Sequence, residues 1–202
     1  MVTRLAAGLA AVGIAAGAII FWTSVVASLG WSYAGYISEA GVPGSAHAPG
    51  YRLGIALLSG GLLLLGVALR QAMPVAATLL ALAGLLSSTA SFVNCSAGCP
   101  LPPYEVPTFA DLVHAGASVA AVTACLAAMV VFATTPAVSP ERAVCRAWLV
   151  VALPLFLLAA SSLLFIGRGR LTGDSERVLL VVITVWAFVL ALLQTLRTGR
   201  QA

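Results

Sequence analysis

Apolar residues run along the chain in six stretches: Leu5 to Leu29, Tyr51 to Leu69, Pro74 to Asn94, Phe109 to Thr134, Arg146 to Ile166 and Arg177 to Leu196. Each holds about 19 to 26 residues, against the roughly 20 an α-helix needs to cross about 30 Å of hydrocarbon. Polar and charged residues collect between the stretches, so the pattern predicts an all-α, six-transmembrane-helix bundle that forms a single domain over residues 1–202. The first stretch follows Arg4 as a secretory leader would, but it exceeds the roughly 7 to 15 apolar residues of a leader and ends in no A-x-A site. It reads as a membrane helix. Only Arg70 to Met73 separate the second and third stretches. Pro74 suits a first helical position, where its missing N–H has no partner to lose, so an antiparallel hairpin is expected. Pro154 deprives the Val150 carbonyl of its helical donor and predicts a kink in the fifth helix.

Composition excludes a soluble domain: 61% of residues are hydrophobic and 8% charged, and the mean hydropathy is +1.09. All ten basic residues are arginine, for a net charge of +4. They stand singly or in pairs at the ends of apolar runs rather than in a stripe, so they read as membrane flanks and no nucleic-acid partner is expected. Six crossings put both termini on one side. That side holds Arg4, Arg70, Arg142, Arg146, Arg197 and Arg200, and the other holds Arg52, Arg168, Arg170 and Arg177. The positive-inside rule then places both termini in the cytoplasm of a multi-pass cell-membrane protein, with the longer connections, Gly30 to Gly50 and Cys95 to Thr108, outside. Oxidation is permitted there, and Gly98 and Pro100 supply a turn between Cys95 and Cys99. A structural disulfide between Cys95 and Cys99 is expected, with a free thiol pair and a redox-active pair as the other readings. Cys125 and Cys145 read as buried packing residues. The four tryptophans, Trp22, Trp31, Trp148 and Trp186, read as interface anchors or lipid contacts.

Hydrogen-bonding side chains are costly in hydrocarbon, so their placement within the helices carries information. Under this topology they gather in the exterior halves: Thr23, Ser24 and Ser28 in the first helix, Ser59 in the second, and Ser87, Ser88, Thr89 and Ser91 in the third. The fourth adds His114 and Ser118, the fifth Ser161 and Ser162, and the sixth begins at Arg177. A polar crevice open to the exterior and closed below by an apolar plug is expected. At 100° per residue, Gly13, Gly17, Ser24 and Ser28 share one face, as do Ala77, Gly84, Ser88 and Ser91, and Asp111, His114, Ser118 and Cys125. The first two faces also suit close helix packing, with the serines bonded to backbone carbonyls. Thr108 and Asp111 form a capping box, and His114 lies close enough to the helix start to donate to a loop carbonyl. Arg177 has Asp174 and Glu176 beside it for an ion pair, with inward pairing to Asp111 or Glu39 as the other reading.

Four segments in this order resemble a bacterial integral-membrane family known as domain of unknown function 998. They are Tyr36-Ile-Ser-Glu-Ala-Gly41, the Gly54 and Gly60 pattern, the run from Cys95 through Asp111-Leu-Val-His114, and Gly173 to Arg177 followed by Trp186. Ala40 stands where the family pattern often has leucine. The resemblance implies a six-helix bundle with Ser38, Glu39, Asp111, His114 and Arg177 as the family-like polar positions. It implies no reaction.

Two functional classes remain open. One is a binding module that holds a membrane lipid or small amphiphile in the crevice, or packs against another membrane protein. Ser24, Ser38, Ser88, Glu39, Asp111, His114 and Arg177 are then the pocket candidates, with Glu39, Asp111, His114 and Arg177 fixing the head. The alternative is an intramembrane hydrolase or lipid-modifying enzyme with Ser24 or Ser88 as nucleophile, His114 as base and Asp111 orienting the ring, though no nucleophile-elbow sequence is present. A metal site from Glu39, His47, Asp111 and His114 lacks a ligand-like spacing. Cys95 and Cys99 have three residues between them instead of the two usual in redox pairs. Transport lacks a broken-helix pair or an evident inverted repeat. No cofactor is expected.

Overall fold

A computed structural model describes residues 2–136 and 139–200, with the side chains of 198–200 left aside; of the arginines in the topology count, only the Arg200 side chain lies outside the described residues. Six helices long and apolar enough to span a membrane follow one another: α1 Val2–Leu29, α2 Ala48–Leu69, α3 Pro74–Phe92, α4 Phe109–Thr134, α5 Pro140–Phe165 and α6 Arg170–Arg200. A short 3-10 turn, Ile37–Gly41, interrupts the connection between α1 and α2. Each helix packs on its chain neighbours and α6 returns to α1, which closes a ring.

Local chemistry sets the helix starts. Pro74 opens α3 after the four-residue connection, as its sequence position implies. Thr108 caps α4, accepting from the Asp111 amide at 3.3 Å. Two helices begin earlier than the apolar runs. Ser139 accepts from the Arg142 amide at 3.2 Å and Pro140 takes the first turn, so α5 starts six residues before Arg146. Likewise α6 starts at Arg170, which places Arg177 two turns inside it. The helix α5 continues through Pro154.

Close packing follows the small-residue faces. A Cβ on Gly17 would lie 2.7 Å from the Leu58 amide nitrogen, and one on Gly54 2.6 Å from that of Phe21. Neither position admits a side chain without separating α1 from α2. Ser24 faces Gly50 and Ser28 pairs with Ser45 at 3.2 Å, so the whole Gly13 face of α1 lies on α2 and its loop. The Gly84 face of α3 does the same: a Cβ on Gly84 would meet the Ser59 carbonyl at 2.9 Å, and Ser91 donates to the Arg52 carbonyl at 3.4 Å.

The face where α2 and α4 end and α3 and α5 begin is filled. Ile14, Leu65, Leu80, Met129, Trp186 and Leu190 belong to one apolar core there. Trp186 is fully buried and donates its indole N–H to the Cys145 sulfur at 3.3 Å, so it is a core residue rather than the interface anchor expected of it. At the edge of this core Glu141 is 1% exposed, held by Arg197 at 2.7 Å and Gln194 at 3.0 Å.

Candidate functional site

Toward the long-loop face the helices part, leaving a cavity of about 370 Å³ whose wall takes residues from all six helices and from both long connections. Its sides are apolar: Ile55, Leu58 and Leu62 of α2, Val122 of α4, Phe156 of α5, and Leu179 and Ile183 of α6. The apolar core lies beneath, with Ile14 and Leu62 belonging to both.

Most of the hydroxyl groups that suggested a polar crevice are turned onto their own helices. Ser24 donates to the Ile20 carbonyl, Ser59 to Ile55, Ser88 to Gly84, Ser118 to His114 and Ser162 to Ala159, all within 2.7–2.9 Å. In hydrocarbon this is how an isolated hydroxyl is satisfied. The cavity is therefore an apolar space with a few polar groups near the loops, not a polar channel.

Of the candidate residues, Ser38, Asp111 and His114 line this space; Ser24, Ser88, Glu39 and Arg177 do not. Asp111 is 1% exposed. Its carboxylate accepts from the Ser96 amide at 2.6 Å and the Thr108 amide at 2.7 Å, and from the hydroxyl of each. The capping box thus extends into a clamp that ties the disulfide loop to the start of α4. The His114 ring makes its hydrogen bond through Nδ1, to the Val93 carbonyl at 2.7 Å. A carbonyl only accepts, so Nδ1 carries the hydrogen, and in the neutral ring Nε2 is a bare acceptor. Ser38 donates to the Cys99 sulfur at 3.2 Å. Cys95 and Cys99 themselves line the cavity; they form a disulfide with Cα atoms 5.0 Å apart, across a turn in which Gly98 has φ +82°.

Glu39 is buried above the cavity, between two loops. Arg168 meets it twice, Nε to Oε1 at 2.9 Å and Nη2 to Oε2 at 2.7 Å, while the Tyr33 hydroxyl and the Tyr36 amide complete its partners. The Glu39 hydrogen bonds and charge hold the Arg168 guanidinium above its ordinary range, so it stays a cation. Burial, then the Glu105 and Glu176 carboxylates, push the Tyr36 phenol up to about 12, and it stays neutral. Arg177 is 2% exposed; it reaches Asp174 and the Gly35 carbonyl, both at 3.4 Å, and its Nε has no partner. It pairs with neither Asp111 nor Glu39.

Glu176 is the site residue that sequence reasoning passed over. It lines the cavity, with Oε2 accepting from the Ile37 amide at 3.0 Å and Oε1 left to the cavity. The signal was present: Thr172, Glu176, Leu179, Leu180, Ile183 and Ala187 repeat at helical spacing, so the inward face of α6 runs back past Arg177.

The triad needed for acyl transfer is not assembled. Asp111 spends its oxygens on Ser96 and Thr108, and the hydroxyls of Ser24 and Ser88 face their own helices rather than His114. Glu39, His47, Asp111 and His114 do not gather either: among the described residues no three His, Cys, Asp or Glu side chains come together as metal ligands. No protein family, curated protein or solved structure matches this chain, so the resemblance drawn from its four segments rests on those segments alone.

Proposed function

We propose that this is a binding module of the cell membrane, with both termini in the cytoplasm, and that the cavity beneath its exterior loops holds a lipid or small amphiphile. The observation that carries this reading is the cavity itself: an apolar space of about 370 Å³ with polar atoms concentrated at its loop end. That is within the roughly 300–1,000 Å³ of small-molecule sites, which are mostly apolar with a few placed polar groups. At about 30 Å³ per water-sized group it takes about a dozen heavy atoms, the size of a short alkyl chain with a small head, or one end of a longer lipid. The chain enters the space between α2, α5 and α6, and the head remains near Ser38, His114 and Glu176. Asp111, Glu39 and Arg168 hold the loops that cover it.

Lipid analysis of the purified protein, set against an extract of the membranes it came from, tests this. One amphiphile class is expected to be enriched at least roughly tenfold, equivalent to about 1.4 kcal/mol of preference. Bulk lipids in bulk proportions would contradict it. The hydrolase reading has no observation in its favour once Asp111 is seen to serve the loop.

A further inference from the structure

The atoms the cavity offers to a ligand head have a sign. Glu176 presents Oε1, a carboxyl oxygen, because Oε2 is taken by the Ile37 amide. His114 presents Nε2, which in the neutral ring is a lone pair, because Nδ1 donates to the Val93 carbonyl. Asp111 contributes a second carboxylate to the wall, already satisfied by Ser96 and Thr108. Among the described residues no arginine lines the space: Arg168 is turned to Glu39, and Arg177 to Asp174 and the Gly35 carbonyl. The hydroxyls of Tyr36, Tyr51 and Ser87 give or take a hydrogen equally well and do not change the sign. Aromatic rings of Phe21, Tyr36, Tyr51 and Phe156 add faces that attract a cation and repel an anion. A phosphate or carboxylate head would bring acceptors against acceptors in a space of low dielectric, with no arginine side chain on the described wall to receive it.

We propose that the ligand is a cationic amphiphile, an alkyl ammonium drawn to the acceptors on the cavity wall, Glu176 Oε1 first and His114 Nε2 second, while its chain fills the apolar cavity. This rests on the amphiphile-binding reading and names the ligand class within it. A primary ammonium fits best, because it supplies up to three donors for two acceptors and the surrounding hydroxyls.

Three ten-carbon probes separate the two claims: decylamine, decanol and decanoate, titrated into the protein in zwitterionic nanodiscs, with protein-free nanodiscs subtracting partition into lipid. Decylamine is expected to bind at one site at least roughly tenfold more tightly than decanol, with decanoate weakest. Glu176→Gln is expected to remove that preference while decanol binding stays, and His114→Phe to reduce it with Glu176 intact. Equal binding of the three probes, or a preference for decanoate, overturns the cationic head and leaves amphiphile binding standing. Saturable binding of none of them overturns both. Thermal unfolding of each variant without probe separates lost recognition from lost folding. A preference that survives Glu176→Gln in a folded protein also overturns the assignment.

Discussion

Asp111 shows how much of this architecture depends on single satisfied groups. It is almost fully buried and gives an acceptor to two backbone amides of different segments. Asp111→Ala leaves the half-buried Ser96 amide and the more exposed Thr108 amide without their acceptor, and should cost about 1–3 kcal/mol in total. Ser88→Ala removes a hydroxyl bonded only to its own helix and is expected to change stability by no more than about 0.5 kcal/mol. Thermal unfolding in micelles checks the pair, and equal effects would contradict the roles given to them. Thr108 and Asp111 were legible as a cap because a capping box is a local spacing. The Ser96 half of the clamp was not, because it joins residues 15 positions apart through a loop whose path only the fold defines. For the same reason the Arg168 partner of Glu39, 129 positions away, left no mark in the sequence.

Among the elements, helix identity was readable and helix limits were less so. Hydropathy marks where hydrocarbon begins, so it placed the starts of α5 and α6 at Arg146 and Arg177. The hydrogen-bonded helices extend into the charged turns, where Glu141 finds Arg197 and where Arg177 is enclosed. Close packing of α1 was readable from small residues at helical spacing, but its partner, α2, was not. Gly54→Ala forces a methyl group against the Phe21 backbone and should cost about 1–3 kcal/mol or more. Gly60→Ala, on the same helix with open space at its Cβ position, should instead stabilise by about 0.5–1 kcal/mol. Denaturant titration of the two variants distinguishes packing from helix propensity; a shared sign would refute the close approach. Between the loops, Arg168→Ala should cost about 1 kcal/mol: its hydrogen bonds to Glu39 are charge-assisted, but the guanidinium is 37% exposed. The double variant with Glu39→Gln should cost less than the two single effects added together.

For the whole molecule, the even number of crossings brings the two ends back to one face, and α6 then closes onto α1. Closure of the ring makes a central space, and the distribution of bulk decides which half is filled. Ile14, Leu65, Met129 and Trp186 fill the half bearing the short connections, while small residues such as Ala90, Ala115 and Ala160 border the open half. The concentration of serines and threonines toward the long loops was visible in the sequence, and so were its two readings, a polar crevice and hydroxyls bonded to backbone carbonyls; the fold takes the second. Their orientation depends on each hydroxyl finding its own helix carbonyl, and the result is an apolar cavity in place of a polar crevice. The most direct measurement is native mass spectrometry of the protein ejected from membrane vesicles, with wild type beside Ala115→Trp and Ala160→Trp, whose indoles occupy the cavity. Wild type is expected to carry one amphiphile mass that both variants lose while keeping their helical circular dichroism. An unliganded wild type, or the same adduct on all three proteins, would contradict a ligand in that space.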